Sequence, residues 1–93
     1  MSVERSVQIV NEAGIHARPA AEIVKTAARF KSEITIVKDG LDVNAKSIMG
    51  VMMLAAECGS TVLLRAEGED AQAAIDAIAG VIAAGFGEAL GEI

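Results

Sequence analysis

Gly14-Ile15-His16-Ala17-Arg18-Pro19-Ala20 contains the only histidine and the only proline of a 93-residue chain. Proline lacks an N–H and is tolerated in the first turn of a helix, where the donors have no intrahelical partner in any case. Pro19 therefore fixes a helix start within about three residues of His16. The residue before proline avoids helical backbone, which favours Arg18 as the cap. The loop glycine Gly14 favours an earlier start, with His16 near the cap. Either choice leaves free N–H donors and the positive end of the helix dipole beside an imidazole, and Arg18 adds a fixed cation. Such a place suits an anion next to a nucleophilic nitrogen. The simplest chemistry that uses all four features is a phosphoryl group carried on His16.

Outward from this stretch the pattern reads βαββαβα. Val3 to Val10 alternates as a strand, with Val3, Val7 and Ile9 on one face. The helix beginning near His16 should run to Phe30, burying Ala20, Ile23, Val24 and Ala27 and leaving Glu22, Lys25, Thr26 and Arg29 wet. Glu33–Lys38 is a second strand. Asp39-Gly40 signals a tight hairpin, and Leu41–Ala45 returns as a third strand with Leu41 and Val43 inward. Ser47 reads as the cap of a second helix from Ile48 to about Glu57, stopped by Gly59 and buried through Val51, Leu54 and Ala55. Thr61–Glu67 is a fourth strand. Gly68-Glu69-Asp70 opens a third helix with acidic residues where the dipole favours them. Its stripe is Ala71, Ala74, Ile75, Ile78, Ile82 and Phe86, and Gly80 suggests close backbone packing. One domain over residues 1–88 is expected, with a loose C-terminal tail over 89–93. Strands with one apolar face call for helices on that face alone, an α/β (α+β) two-layer open-faced sandwich. Right-handed crossovers around a central hairpin make its sheet largely antiparallel.

Composition excludes several function classes. Thirteen acidic residues against eight basic ones give a net charge of −5, which disfavours nucleic acid and anionic membrane as partners. Cys58 is alone and His16 is alone, so neither an intrachain disulfide nor a metal site is expected, and no cofactor is implied. No signal peptide or bilayer-spanning run is visible, which points to a cytoplasmic protein. Trp and Tyr are absent and Phe occurs twice, so the core is expected from Ala, Val, Ile, Leu and Met.

The stretch 14–20 resembles the active-site motif of HPr, the histidine-containing phosphocarrier family of the sugar phosphotransferase system. Asn44-Ala45-Lys46-Ser47-Ile48-Met49-Gly50 resembles that family's regulatory serine motif, and Gly68-Glu69-Asp70 and Phe86-Gly87-Glu88 also fit. The resemblance implies a four-stranded antiparallel sheet of order 1-4-2-3 with three helices on one face. It implies phosphorylation of His16 at Nδ1, with Arg18 neutralising the group and the donors at Ala17 and Arg18 binding its oxygens. The implied partners are enzyme I, charged by phosphoenolpyruvate, and an EIIA-type acceptor, with the chain a monomer and a stoichiometric carrier rather than an enzyme. Ser47 matches the site of an HPr kinase/phosphorylase. Met52-Met53-Leu54-Ala55-Ala56 leans toward the nitrogen-related branch over sugar transport.

Plainer readings stand beside these. A lone histidine near a helix start is often only a cap. An arginine there is usually a solvated charge, although the dipole disfavours it and a bound phosphate would explain it. Ser47 is an ordinary N-cap whatever else it does. Ile48, Met49 and Met52 fall toward solvent, and scattered surface hydrophobes are normal. As a group on the family's docking helix they read as a partner-binding patch, for which flexible methionine is suited. The competing function is a regulatory interaction module that works through the second helix without phosphoryl transfer, and a ligand-binding sensor domain is a third.

Overall fold

Period-two alternation in four segments and one two-residue turn build the sheet. The computed structural model describes residues 1–93. Its strands are β1 (Ser2–Gln8), β2 (Glu33–Lys38), β3 (Leu41–Asn44) and β4 (Thr61–Glu67), and its helices are α1 (Ala17–Ala27), α2 (Ile48–Met53) and α3 (Ala71–Ala83). The sheet order is β1-β4-β2-β3 and every neighbouring pair is antiparallel. β4 runs between the parallel strands β1 and β2, so each crossover spans one intervening strand. The fold is an open-faced α+β sandwich with three helices.

Register follows from burial. Val3 and Ile34 flank Ala66, Val7 faces Val62, and Ile36 sits between Leu64 and Val43. These residues share the helix-facing side, where a one-residue slip would turn the whole set to solvent. On the open face Arg65 stands opposite Glu4 and bonds it at 2.9 Å. The hairpin turn places Asp39 and Gly40 at φ of 50° and 80°, the backbone twist that a two-residue antiparallel turn requires.

Twenty-two buried apolar residues form one cluster, in which Ala, Val, Ile and Leu are joined by Phe86. Methionine, expected in that core, is absent from it. Met1, Met49, Met52 and Met53 are all exposed, three of them on α2. Leu41, expected inward, is exposed, unlike Val43. Thr26, expected on the wet side of α1, is buried, and its hydroxyl donates to the Glu22 carbonyl at 2.9 Å. Gly80 is exposed with open space where a side chain would stand, so close packing does not explain it.

Several boundaries differ from expectation. β1 stops at Gln8 and α1 at Ala27. α2 is only six residues long. Ala55 takes φ of +47°, which ends the helix before Glu57 without a glycine, and Ala55 is exposed while Ala56 is buried. Asp70 is the N-cap residue of α3, but its side chain makes no cap hydrogen bond. Its carboxylate accepts the N–H of Lys31 and of Ser32 and the Ser32 hydroxyl, tying the loop before β2 to the start of α3. The tail expected to be loose over 89–93 is anchored through Gly91. Glu12 N–H donates to the Ala89 carbonyl, Gly91 N–H donates to Val10, both at 2.9 Å, and Leu90 bridges Asn11.

Candidate functional site

His16 is the N-cap of α1, with extended backbone at φ −95° and ψ −168°. Two features aim it. Gly14 turns the chain at φ +68°, and a side chain at that position would lie 2.6 Å from the Ala56 carbonyl oxygen, so only glycine fits. Buried Ile15 then pins the loop by donating its N–H to the same carbonyl at 2.9 Å. Pro19 and Ala20 are buried at the next turn. The His16 carbonyl accepts the Ala20 N–H at 3.0 Å, the first bond of the helix. The N–H groups of Ala17 and Arg18 precede that bond and have no helical acceptor, and the first turn carries no acidic side chain. They are open donors flanking the imidazole.

The ring itself is held from the far end of the chain. Nε2 of His16 lies 2.8 Å from Oε2 of Glu88. Arg18 donates to the same oxygen from Nε at 3.0 Å and Nη2 at 2.6 Å, and Nη2 also donates to the Phe86 carbonyl at 2.8 Å. Arg18 Nη1 reaches Glu22 at 3.3 Å. The second Glu88 oxygen accepts from Asn11 Nδ2 at 2.9 Å, and that amide also donates to the Gly14 carbonyl at 2.7 Å. Asn11 is fully buried. The Asn11 amide above all, then Arg18 and His16, hold the Glu88 carboxyl below the usual glutamate range against the opposing effect of desolvation. With Nε2–H donating to a carboxylate, the neutral ring presents its lone pair at Nδ1, and Nδ1 has no bond to the protein.

His16, Ala17 and Arg18 thus stand together, as their sequence adjacency requires. Glu88 and Asn11 complete the cluster and were not singled out by sequence reasoning. The one signal for Glu88 was its place in the Phe86-Gly87-Glu88 pattern. Asn11 carried only a turn signal. Ser47 shares no hydrogen bond with the imidazole cluster. Its Oγ accepts the Gly50 N–H at 3.1 Å as the cap of α2. Ile48, Met49 and Met52 are exposed, as is Met53. α2 packs against α1, and the chain leaving α2 is the strand of backbone that pins Ile15. No three His, Cys, Asp or Glu side chains cluster as a metal site. No helix is long and apolar enough to cross a membrane.

An open-faced α+β sandwich with a histidine at the N-cap position of its first helix defines a small histidine-phosphocarrier-type protein. Residues 3–84 match the family model described as the PTS HPr component phosphorylation site. The phosphocarrier protein HPr of Treponema pallidum is 57% identical over 76 residues, 82% of this chain and 86% of that protein. The crystal structure of HPr from Thermoanaerobacter tengcongensis superposes with a TM-score of 0.89 at 49% identity, covering 92% of this chain and 97% of that one. A crystal structure of Crh, the Bacillus subtilis catabolite repression protein described as a swapped dimer, aligns with a TM-score of 0.73 at 44% identity over 89% of this chain and 95% of that one. The chain belongs to the HPr family of phosphocarrier proteins.

Proposed function

We propose that this chain is a stoichiometric phosphocarrier of a phosphoenolpyruvate-dependent phosphotransferase system, accepting a phosphoryl group from enzyme I on Nδ1 of His16 and passing it to an EIIA-type acceptor. The observation that carries this reading is the Nε2 contact to Glu88, which leaves Nδ1 with its lone pair beside two open N–H donors. In the accepting step the Nδ1 lone pair attacks phosphorus. The N–P bond forms, the donor's bond to phosphorus breaks, and its electron pair stays with the donor. Ala17 and Arg18 N–H groups bind phosphoryl oxygens, and the Arg18 side chain neutralises their charge. A phosphoramidate keeps high transfer potential, so the group is handed on.

Partner docking falls to Ile48, Met49 and Met52 on α2, exposed apolar side chains on a helix packed beside the one that His16 caps. Ser47, at the start of the same helix, is the candidate target of an HPr kinase/phosphorylase. The carrier works as a cytoplasmic monomer in this reading. The regulatory-module reading draws support from the likeness to Crh.

The test is incubation with phosphoenolpyruvate and enzyme I. Acid-labile label on His16, lost in His16→Ala, supports the carrier. Absence of label with partner binding intact supports the regulatory module instead.

A further inference from the structure

We infer that Glu88 is a positioning residue for phosphoryl transfer: its carboxylate keeps a proton on Nε2 of His16 in the free and the phosphorylated forms alike. The inference rests on the phosphocarrier reading and adds a requirement to it. Phosphoryl transfer at Nδ1 needs different things from the ring in its two directions. To accept, Nδ1 must carry a lone pair, so the neutral ring's proton must sit on Nε2. To donate, the N–P electron pair must return to Nδ1. If Nε2 still carries its proton, the departing group is neutral imidazole. If that proton has gone, the departing group is the imidazolate anion, a far poorer leaving group. One carboxylate fixed at Nε2 serves both directions, and the proton never has to leave.

Glu88 is built for this in several ways. Both of its oxygens are engaged, Oε1 by the Asn11 amide and Oε2 by His16 and Arg18. The backbone that presents it is set by a tight turn. Gly85, Phe86 and Gly87 take φ of +64°, +57° and +71°, and Phe86 holds this costly conformation with its ring buried. Glu88 N–H closes the turn on the Gly85 carbonyl at 2.9 Å, and the following residues are tied to Val10 and Glu12. The carboxylate therefore does not depend on a single free rotamer.

The charged groups around the ring come from three segments. Arg18 and Glu22 lie on α1, Glu88 on the C-terminal arm, and Glu12 on the loop after β1, where it lines the hollow shared by His16 and Glu88. Arg18 is the only cation among them, and it shares Oε2 with the imidazole. A phosphoryl group on Nδ1 competes for that guanidinium. As Arg18 turns toward the phosphoryl oxygens, the Glu88 charge is left increasingly to Nε2–H. The carboxylate then acts most strongly when the ring is phosphorylated and formally cationic.

The test uses the full chain labelled on histidine nitrogen and phosphorylated with the small donor phosphoramidate, which needs no partner protein. Nitrogen and phosphorus resonances followed against pH report the loss of the ring proton in the phospho form. A neighbouring anion favours the protonated ring, so the wild-type phospho form should keep its proton to higher pH than Glu88→Gln or Glu88→Ala, by roughly 0.5–1 pH unit. In the unphosphorylated protein the share of Nε2–H tautomer should fall in Glu88→Ala, which has no acceptor, and hold in Glu88→Gln, which keeps one. Coincident phospho-form curves in folded wild type and Glu88→Gln would overturn the inference, as would failure of phosphoramidate to place a phosphoryl group on Nδ1. Neither result depends on enzyme I. A shifted curve without enzyme I label would sink the carrier reading alone, and label with coincident curves would sink this inference alone.

Discussion

Arg18 and Glu88 are joined by two hydrogen bonds to one carboxylate oxygen, and Arg18 also holds the Phe86 carbonyl. Arg18 is therefore a strut for the C-terminal arm as well as a candidate phosphate ligand. Replacing Arg18 by Ala should slow phosphorylation by enzyme I about 10- to 100-fold, the range of a lost charge-assisted hydrogen bond or two. It should also lower the melting temperature slightly, because the Arg18 side chain is about half in water and ion pairs held by such a side chain contribute little. Hydrogen exchange should show the effect at residues 86–91, not in the sheet. An unaltered transfer rate would remove Arg18 from the site.

Gly14 makes the second point of leverage on His16. Alanine there must hold the left-handed conformation, at a cost of about 1–2 kcal/mol. Its side chain would also press on the Ala56 carbonyl oxygen, a backbone atom with little freedom to move. Gly14→Ala should lower the melting temperature by about 5 °C or more and slow labelling of His16, since the Ile15–Ala56 bond is displaced with it. Wild-type melting with wild-type labelling would show that the loop can re-form around the extra methyl group.

Acid stability should depend on Asp70. The Ser32 hydroxyl first, then the Lys31 and Ser32 N–H groups, hold its carboxyl below the usual aspartate range. A carboxyl depressed in the folded state stabilises the protein above its unfolded pKa and loses that effect as pH falls through the folded one. Wild type should therefore weaken as pH drops below about 4, with Asp76, held down by Arg5, and Glu88 acting in the same sense. Asp70→Asn should melt lower than wild type at pH 7, and its curve should converge on wild type toward pH 3. Denaturant midpoints across that range decide it. A constant offset between the two proteins at every pH would show that ionisation of Asp70 is irrelevant.

The sequence pattern and the structure part company where a residue's role depends on distant chain. Element order was legible because alternation and three-four spacing are local, and Asp39-Gly40 declares its turn. Strand order was not, since no local pattern says that β4 enters between β1 and β2; it came from the family resemblance. Leu54-Ala55-Ala56-Glu57 has good helix propensity throughout, so nothing in it announces the left-handed Ala55 that ends α2. Composition counted methionine among the core formers, yet helical spacing on α2 already turned Met49 and Met52 to solvent, where they and Met53 lie. Glu88 was hidden for two reasons. Its partners lie 70 or more residues away in Asn11, His16 and Arg18. The glycines around it also read as an unravelling end, when two of them in fact supply the positive φ angles of a turn.

Ser47 separates a structural role from a regulatory one. Its Oγ caps α2 through the Gly50 N–H, so Ser47→Ala should cost about 1 kcal/mol of stability, the usual value for a lost N-cap. Ser47→Asp keeps an acceptor at the cap and adds negative charge where a helix start tolerates it, so its stability should match wild type. The two variants should differ the other way in docking. The aspartate stands next to Ile48 and beside the exposed Met49 and Met52. A partner covering those side chains must desolvate the new charge or oppose it with its own acidic groups, and both weaken binding. Ser47→Ala leaves the patch apolar and should bind enzyme I nearly as wild type does. Ser47→Asp should bind about tenfold more weakly and be phosphorylated on His16 correspondingly slower. Weakening that eases at high salt identifies repulsion as the cause, and weakening that persists identifies desolvation. Titrations of enzyme I with all three proteins, run beside their melting curves, carry the comparison. Equal affinity for Ser47→Asp and wild type would refute a switch at this surface, and a large drop in its melting temperature would show that aspartate fails as a cap.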